Sequence, residues 1–172
     1  MTLIMKELYL AGGCFWGMQA YFENIPGVVH ATVGYANGHV EHPTYDMVCL
    51  GNTGYAETIY ITYDEKLVDL VFLLSMYFLV IDPTSFHRQG GDIGSQYRTG
   101  IYYCDNMDQE IIQAELTKLQ TNYQLPVVVE CAPLHNFYPA EDYHQNYLKK
   151  HPNGYCHIPK KKIEEAKFAK KN

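Results

Sequence analysis

The sequence Leu-Tyr-Leu-Ala-Gly-Gly-Cys-Phe-Trp-Gly occupies residues 8–17. Its apolar start predicts a short strand, and the two glycines that follow allow a sharp turn with close backbone approach. The amphipathic pattern that continues to Asn24 predicts a helix beginning near Cys14. A cysteine at a helix N-terminus lies in a positive partial field, which favours the thiolate over the thiol. This stretch therefore predicts a strand, a tight turn and a helix that presents a reactive sulfur.

Two aromatic residues, Phe15 and Trp16, follow Cys14 directly, and the second is the only tryptophan of the chain. They would place a flat apolar surface beside the sulfur. A single cysteine is most often a small buried apolar residue, and this interpretation competes with a catalytic one. The glycine pair before Cys14 and the aromatic pair after it favour a reactive thiol.

The composition indicates one globular domain. The chain has 172 residues, 47% of them hydrophobic, which suits a single domain with a proper core. The net charge of −6 argues against general nucleic-acid binding, because that function requires a basic face. Lysines cluster near the C-terminus, where a solvated and partly frayed chain end is the simplest interpretation. We expect a monomer.

Neither a signal peptide nor a membrane span is expected. Residues 1–10 contain no long apolar segment and no small-residue cleavage pattern. The most apolar stretch, residues 67–81, is too short and too interrupted for a bilayer, so a core helix is expected there. Five cysteines, an odd number, do not indicate a disulfide scaffold. Thiols in a reducing cytoplasm fit better, and we expect a cytoplasmic protein.

Short β-rich runs alternate with amphipathic runs along the chain. The predicted strands are 7–11, 28–35, 58–63, 100–104 and 127–132, and the predicted helices are 14–24, 67–79, 108–123, 139–148 and a final turn at 163–170. The segment 84–99, rich in glycine and polar residues, is predicted to be a long loop of the kind that is usually functional. The expected fold class is α+β, with helices packed on a mainly antiparallel sheet.

Glu57 stands at the head of a predicted strand. Alternation places it on the same face as Ile59 and Ile61. If that face packs on the core, burial would raise the pKa of the carboxyl and let it hold a proton near neutrality. The pattern therefore favours a general acid, with a solvated strand-end glutamate as the alternative.

Most of the 16 tyrosines are expected to be half-buried packing residues, but Tyr45 and Tyr97 differ from these. Tyr45 and Tyr97 fall in polar segments, and a tyrosine hydroxyl can donate a hydrogen bond to a developing oxyanion. Packing within a loop is the alternative for each. Both are therefore candidate site residues.

Two further segments hold candidate binding residues. Gly91 and Gly94 allow the backbone to bend around the carboxylate of Asp92. The segment 137–145 opens a predicted helix with two acids in its first turn, which capping explains. Capping does not explain His144, which stays a candidate.

The other cysteines differ in setting. Cys49, Cys104 and Cys131 lie in or beside apolar, strand-like runs and are predicted to be structural. Cys156 lies past the last core helix, and a thiol on a mobile tail can swing onto a distant site. A metal site would have to use the set His144, His151, Cys156 and His157. Their spacing matches no standard zinc pattern, so no metal is expected.

Together these motifs resemble the A-class peptide methionine sulfoxide reductases. The motifs that carry the resemblance are Gly-Cys-Phe-Trp-Gly at 13–17, Pro-Thr-Tyr at 43–45, Gly-Tyr-Ala-Glu at 54–57, Asp-Pro-Thr at 82–84, and the segments 92–98 and 137–145. They occur in the right order over several loops, and the match covers about residues 7–157. The resemblance implies a two-layer α/β roll. It also implies a single catalytic domain, residues 1–172, in which 149–172 form a mobile tail.

The resemblance implies a role for each candidate residue. Cys14 would be the nucleophile, Phe15 and Trp16 would form the pocket for the substrate's S-methyl group, and Cys156 would be the resolving thiol. Glu57, Tyr45 and Tyr97 would hold and protonate the sulfoxide oxygen. Asp92 and His144 would contact the substrate's backbone.

The implied reaction reduces methionine S-sulfoxide, free or in proteins, to methionine, which repairs proteins after oxidation. Cys14 would become a sulfenic acid, and a second thiol would condense with it to a disulfide. That disulfide needs an external dithiol, so thioredoxin is the implied partner, or dithiothreitol in the laboratory. Proteins and peptides that contain methionine sulfoxide are the implied substrates, and no cofactor is implied.

Two departures from the family pattern are visible. Ile81 stands where the family usually has a histidine before Asp-Pro-Thr. No cysteine follows Cys156, so a two-step disulfide relay along the tail is excluded.

Two other classes of protein remain as alternatives. A thiol hydrolase or acyl transferase would pair Cys14 with a histidine such as His144, and a peptide-binding module would need none of the reactive set.

Overall fold

The structure is a computed structural model, and it describes residues 5–171. The parts of the signal-peptide prediction and of the domain prediction that fall on residues 1–4 and Asn172 lie outside the described residues. No helix within the described range is both long and apolar enough to cross a membrane.

The described chain forms eight strands and six α-helices. The strands are β1 (Met5–Gly12), β2 (Val28–Ala36), β3 (Ala56–Asp64), β4 (Arg88–Gln89), β5 (Asp92–Ile93), β6 (Thr99–Tyr103), β7 (Glu130–Pro133) and β8 (Phe137–Pro139). The helices are α1 (Phe15–Phe22), α2 (Tyr45–Cys49), α3 (Leu70–Phe78), α4 (Asn106–Gln120), α5 (Tyr147–Lys150) and α6 (Lys160–Glu165). The main sheet has the order β7-β6-β1-β3-β2-β8, and β4 pairs with β5 separately.

The sheet is mixed and mainly antiparallel, as predicted. Every pairing runs antiparallel except that of β6 with β7, which is parallel. β3 lies at the centre because it pairs with both β1 and β2, and Ala11 of β1 stands opposite Thr58. This register brings the head of β3, where Glu57 lies, beside the end of β1, where the turn toward Cys14 begins.

One face of the sheet and the helices form the main core. Ile59 and Ile61 of β3 are fully buried with Phe22 of α1 and Leu73 of α3. The opposite face carries a smaller aromatic cluster, in which Tyr9 stacks on a neighbour across the strand pair. Alternation along each strand thus separates two apolar faces, the larger of which is covered by helices.

Tyr77 joins α3 to the two central strands. It is fully buried, and its hydroxyl donates to the carbonyl of Ala11 at 2.6 Å and accepts the N–H of Gly100 at 3.2 Å. We expect Tyr77→Phe to lower the free energy of unfolding by about 1–3 kcal/mol, because both backbone groups lose a buried partner. Urea unfolding measures this change. The control is Tyr123→Phe at an exposed position, which should leave the free energy of unfolding within about 0.5 kcal/mol of the wild type. Equal losses of stability in the two variants would contradict the role of the Tyr77 hydroxyl.

Two secondary-structure predictions are corrected, and one element was missed. The helix predicted at 139–148 is wrong: Pro139 ends a strand that pairs with Gly34, and a 3₁₀ turn at Asp142–His144 follows. Asn146 has a φ of 56°, which breaks any helix before α5. The predicted loop at 84–99 contains the β4–β5 hairpin, and the short helix α2 was not predicted.

The described part of the C-terminal segment is folded against α1. Ile158 and Ala166 are buried in the main core, and the side-chain amide of Asn24 donates to the carbonyl of Ile163 at 2.9 Å. The mobility of residues 149–172 stays a prediction. In the structure, the described part of this segment is docked on α1 and the main core.

Candidate active site

Cys14 caps the N-terminus of α1, as the sequence predicts. It directly precedes the helix and its side chain is buried, with 7% exposed. Gly13 before it has a φ of 87°, a conformation that side chains rarely adopt. A Cβ on Gly13 would also lie 2.7 Å from the Cβ of Gln89. The strand, tight turn and helix of residues 8–17 are therefore confirmed.

Glu57 lies directly beneath the start of α1. It is 1% exposed, and its Oε1 accepts the N–H of Phe15 at 3.2 Å. Its Oε2 is buried and has no hydrogen-bond partner among the described residues. Burial raises the pKa of Glu57 to about 8, against the lowering effect of the Phe15 N–H. The predicted burial of the carboxyl is confirmed, and the raised pKa favours its protonated form near neutral pH.

The predicted thiolate at Cys14 is wrong for the free protein. Burial raises the pKa of the Cys14 thiol well above its ordinary value, and the Glu57 carboxylate adds to this rise. The N–H of Trp16 acts in the opposite direction but does not compensate. The helix-terminus field is outweighed because the sulfur lies out of water and beside an acid.

The buried Glu57 should make stability depend on pH. Its folded pKa of about 8 exceeds its ordinary value of 4.5, so the folded state binds more protons between these two values. The free energy of unfolding should therefore fall as pH rises from about 5 to 8, by up to a few kcal/mol. Glu57→Gln has no such proton to lose, and urea unfolding at several pH values should show a flatter profile. Parallel profiles for the two proteins would contradict a raised pKa.

Aromatic rings line the space beside Cys14. Trp16 stacks on Tyr147 with ring centroids 3.7 Å apart, and its Nε1–H donates to Nδ1 of His144 at 2.9 Å. The His144 ring lies 5.3 Å from Phe15 and 4.3 Å from Tyr45, centroid to centroid. These rings form one connected aromatic cluster next to Cys14 in the chain.

His144 is a buried neutral imidazole. It is 1% exposed, and burial lowers its pKa. Because Nδ1 accepts from Trp16, the ring proton lies on Nε2, which is buried without a partner among the described residues. The site thus holds an unsatisfied donor at Nε2 in addition to the unsatisfied Oε2 of Glu57.

Tyr45 is held in place by a residue that sequence reasoning assigned to capping. Glu141 accepts the backbone N–H of Tyr45 at 3.0 Å and the hydroxyl of Tyr35 at 2.8 Å. The predicted helix that Glu141 would have capped does not exist, so the carboxylate joins α2 to β2 instead. In the sequence, the only sign that Glu141 joins α2 to β2 was its position three residues before the candidate His144.

Tyr45 and Tyr97 are both protonated donors near Glu57. Tyr45 opens α2, and Tyr97 ends a 3₁₀ turn at Ser95–Tyr97, so neither lies in the plain loop that was predicted. Burial raises both pKa values, and the nearby Glu57 charge raises them further. The two hydroxyls therefore keep their protons at neutral pH.

Asp92 lies at the start of β5. It accepts the hydroxyl of Tyr155 at 2.8 Å. Its charge contributes to the raised pKa values of Cys14 and Glu57, which places it within electrostatic reach of both. The structure thus brings the predicted residues from six separate segments to one site.

Gln89 makes the hydrogen bonds to the loop at Asp82, next to Ile81, which stands in place of the family's usual histidine. The Gln89 side chain accepts the N–H of Asp82 at 2.9 Å and donates to the carbonyl of Asp82 at 2.8 Å. Ile81 itself is buried and packs beside Gly12. Sequence reasoning missed Gln89, because a glutamine in a polar loop carries no distinctive signal.

Cys156 lies on the first turns of α1. Its Sγ is 2.8 Å from the point where a Cβ on Gly17 would stand, and it donates to the carbonyl of Ile158 at 3.2 Å. The thiol therefore occupies space that only a glycine leaves open on that helix. Its nearness contributes to the raised pKa of Cys14.

Of the remaining cysteines, Cys49 lies beside the site, where its thiol is hydrogen-bonded to the side chain of Tyr45. Cys131 is half-buried in β7, and Cys104 is exposed just after β6. The prediction that Cys49 lies in or beside a strand is wrong, since it is exposed at the end of α2. Within residues 5–171, no group of three or more His, Cys, Asp or Glu side chains is arranged to hold a metal ion.

Comparison with known proteins identifies the family of this chain. A family model described as peptide methionine sulfoxide reductase matches residues 6–172. Peptide methionine sulfoxide reductase MsrA of Clostridium acetobutylicum is 55% identical over 161 residues, which cover 94% of this chain and 99% of the relative. The reduced form of Mxr1 from Saccharomyces cerevisiae aligns with a TM-score of 0.86 at 34% identity, over 90% of this chain and 91% of that one.

A crystal structure of the yeast Mxr1 in complex with Trx2 aligns with a TM-score of 0.61 at 24% identity, covering 86% of this chain and 89% of that one. At that identity it supports the fold alone, and this fold is the expected α/β roll. The chain belongs to the peptide methionine sulfoxide reductase family. It is an enzyme, an oxidoreductase, and its relatives place it in the A class.

Proposed function

We propose that this enzyme reduces methionine S-sulfoxide, free or in proteins, by attack of Cys14 on the sulfoxide sulfur, and so repairs oxidised proteins. The observation that carries the proposal is the buried Glu57, whose Oε2 has no partner among the described residues. A sulfoxide is a poor electrophile until its oxygen is protonated. A protonated carboxyl with a free oxygen beside a thiol supplies that proton where it is needed.

Glu57 acts as donor and acceptor in one step. Near neutral pH both Glu57 and Cys14 hold their protons, because burial raises both pKa values. Glu57 gives its proton to the bound sulfoxide oxygen, and the carboxylate then accepts the proton of Cys14 as the sulfur attacks. The oxygen passes to Cys14 as a sulfenic acid, and the substrate leaves as methionine. Substrate binding thus creates the thiolate that the free site does not hold.

The other site residues bind the substrate. The Phe15 and Trp16 rings receive the S-methyl group, and the Tyr45 and Tyr97 hydroxyls donate to the sulfoxide oxygen. These donors stay protonated because burial raises the pKa values of both tyrosines. His144, with its unpartnered Nε2–H, and Asp92 contact the substrate's backbone. Oε2 of Glu57 and Nε2 of His144, which are buried without partners in the free enzyme, would each gain one from the substrate.

A disulfide between Cys14 and Cys156 closes the cycle, and thioredoxin reduces it. The yeast neighbour is recorded in complex with Trx2, which supports a thioredoxin as the external dithiol. All five cysteines are free thiols in the structure. The enzyme would act in the cytoplasm as a monomer without a cofactor.

A thiol hydrolase is less well supported. Such an enzyme uses histidine as a base, and the free lone pair must face the thiol. The lone pair at Nδ1 of His144 is already taken by the indole N–H of Trp16 at 2.9 Å. His144 therefore acts as a donor, not as a base toward Cys14.

The direct test is incubation with two peptides that differ only in the configuration of one methionine sulfoxide, with dithiothreitol as reductant. We expect the S epimer to be reduced and the R epimer to remain. Reduction of the R epimer alone, or of both at equal rates, would contradict the proposed substrate. An ester substrate assayed in parallel tests the hydrolase alternative.

Cys156→Ser separates the two halves of the cycle. Without reductant, the variant should release one methionine per protein and keep Cys14 as a sulfenic acid. Thioredoxin-supported turnover should be at least about tenfold lower, because exchange requires a disulfide to attack. Mass mapping of the wild type after one equivalent of sulfoxide should find the Cys14–Cys156 linkage. Cys131→Ser is the matched control, and a linkage from Cys14 to Cys49, Cys104 or Cys131 would contradict the assignment.

A further inference from the structure

The residues on either side of Cys156 each donate one hydrogen bond to the active-site framework. The hydroxyl of Tyr155 donates to Oδ2 of Asp92 at 2.8 Å. Nε2 of His157 lies 2.9 Å from the carbonyl oxygen of Gly12, two residues before Cys14. A carbonyl oxygen only accepts, so Nε2 of His157 carries the proton.

The His157 ring fits against the turn that leads into α1. Its Nε2 lies 3.1 Å from where a Cβ on Gly13 would stand, and its Cε1 lies 3.6 Å from that point on Gly17. Any side chain at Gly13 would press on the ring. Nδ1 of His157 is buried without a partner among the described residues, so the contact to Gly12 is its polar anchor. Burial also lowers the pKa of His157, which keeps the ring neutral in this apolar setting.

We propose that His157, assisted by Tyr155, is a positioning residue that docks Cys156 for attack on the sulfenic acid of Cys14; this rests on the roles proposed above for the two cysteines. The docked thiol forms the S–S bond to Cys14 while the S–O bond of the sulfenic acid breaks. The Cys156 proton leaves with the hydroxide as water. Cys14 is reduced and Cys156 oxidised, so no further reactant is needed.

Docking explains why Cys156 is held near Cys14 on a segment that is otherwise rich in exposed residues. The neighbours Pro152, Asn153, Pro159 and Lys160 are all exposed. Between them, Ile158 is buried in the core and follows His157 directly. Two hydrogen bonds and one apolar anchor therefore hold a four-residue segment, and the resolving sulfur is in its middle.

The test compares His157→Phe with His157→Gln. Phenylalanine keeps the ring volume but has no donor, whereas glutamine keeps an N–H at a similar reach. Methionine release and disulfide formation are followed separately after one equivalent of sulfoxide, by rapid quenching and mass analysis. Dimedone, which traps sulfenic acids, measures the intermediate.

We expect His157→Phe to form the disulfide about tenfold more slowly, the scale of one lost hydrogen bond, with methionine release within about twofold of the wild type. Dimedone labelling of Cys14 should rise accordingly. His157→Gln should restore disulfide formation to within about threefold, since the hydrogen bond is kept. Tyr155→Phe should also slow disulfide formation. Because Tyr155 is half exposed, this variant should fold, and it tests the docking proposal if neither His157 variant folds.

Disulfide formation at the wild-type rate in His157→Phe would overturn the proposal. So would a His157→Gln protein as slow as His157→Phe, or equal slowing of both steps, because each of these indicates a merely structural role. A wild-type enzyme that releases no methionine would instead overturn the proposed function and is distinguished by that first measurement.

Discussion

Cys14→Ser is expected to abolish methionine release, with a loss of about 10⁶-fold, the scale known for removal of a catalytic nucleophile. The physical reason is the acceptor of the oxygen atom. Sulfur can take the oxygen as a sulfenic acid, whereas a serine oxygen would have to form a hydroperoxide. The buried position of residue 14 also disfavours an alkoxide, which is more basic than a thiolate. A single-turnover assay for methionine is the measurement.

The matched control for this prediction is Cys104→Ser. Cys104 is exposed just beyond β6, and the charges that act on its thiol are those of Glu7 and Asp108, neither of which is a site residue. This variant should keep the wild-type rate. Methionine release by Cys14→Ser at even a hundredth of the wild-type rate would show that another group accepts the oxygen.

Glu57→Gln is expected to slow methionine release by about two to four orders of magnitude, the range for a lost general acid. Glutamine keeps the volume and can still accept the N–H of Phe15, so the loss isolates the proton. In the wild type, release should also decline as pH rises through about 8, the pKa of Glu57, because the acid form disappears. The variant should lack that limb of the profile.

Glu7→Gln provides the control for Glu57→Gln, since Glu7 is an exposed strand glutamate whose carboxylate accepts the hydroxyl of Tyr60 at 2.6 Å. It should not change the rate. A change of less than threefold in Glu57→Gln would remove this residue from the mechanism.

The strands of the main sheet were largely predictable because each has a continuous apolar or alternating pattern. Elements that depend on distant contacts were not. The segment 139–148 has helical composition, but Gln145 bonds both the N–H and the carbonyl of Val33, which holds the segment against β2. The start of α3 was placed too early because Asp69 caps it through the N–H of Phe72. The choice between helix and extended chain in such a segment depends on contacts with residues far away in the sequence, which a local pattern does not show.

The candidate site was predictable at the level of residues but not of their protonation. The pattern around Cys14 and Glu57 predicts a thiol and a buried acid, and both are present. The same closeness to Glu57 and the same burial reverse the predicted pKa shift of Cys14. A helix terminus is visible in the sequence, whereas the desolvation that outweighs it arises only after β3, α1 and the C-terminal segment come together.

The stacking of Trp16 on Tyr147 has a practical consequence. Because the chain contains one tryptophan, fluorescence excited where tyrosine absorbs little comes from the wall of the proposed substrate pocket. Its indole N–H donates a hydrogen bond to His144, and Trp16 is two residues along the chain from Cys14, whose sulfur is proposed to be oxidised. The intrinsic fluorescence is therefore a built-in optical signal, and a stopped-flow instrument can follow substrate entry and changes of the sulfur in real time without a dye.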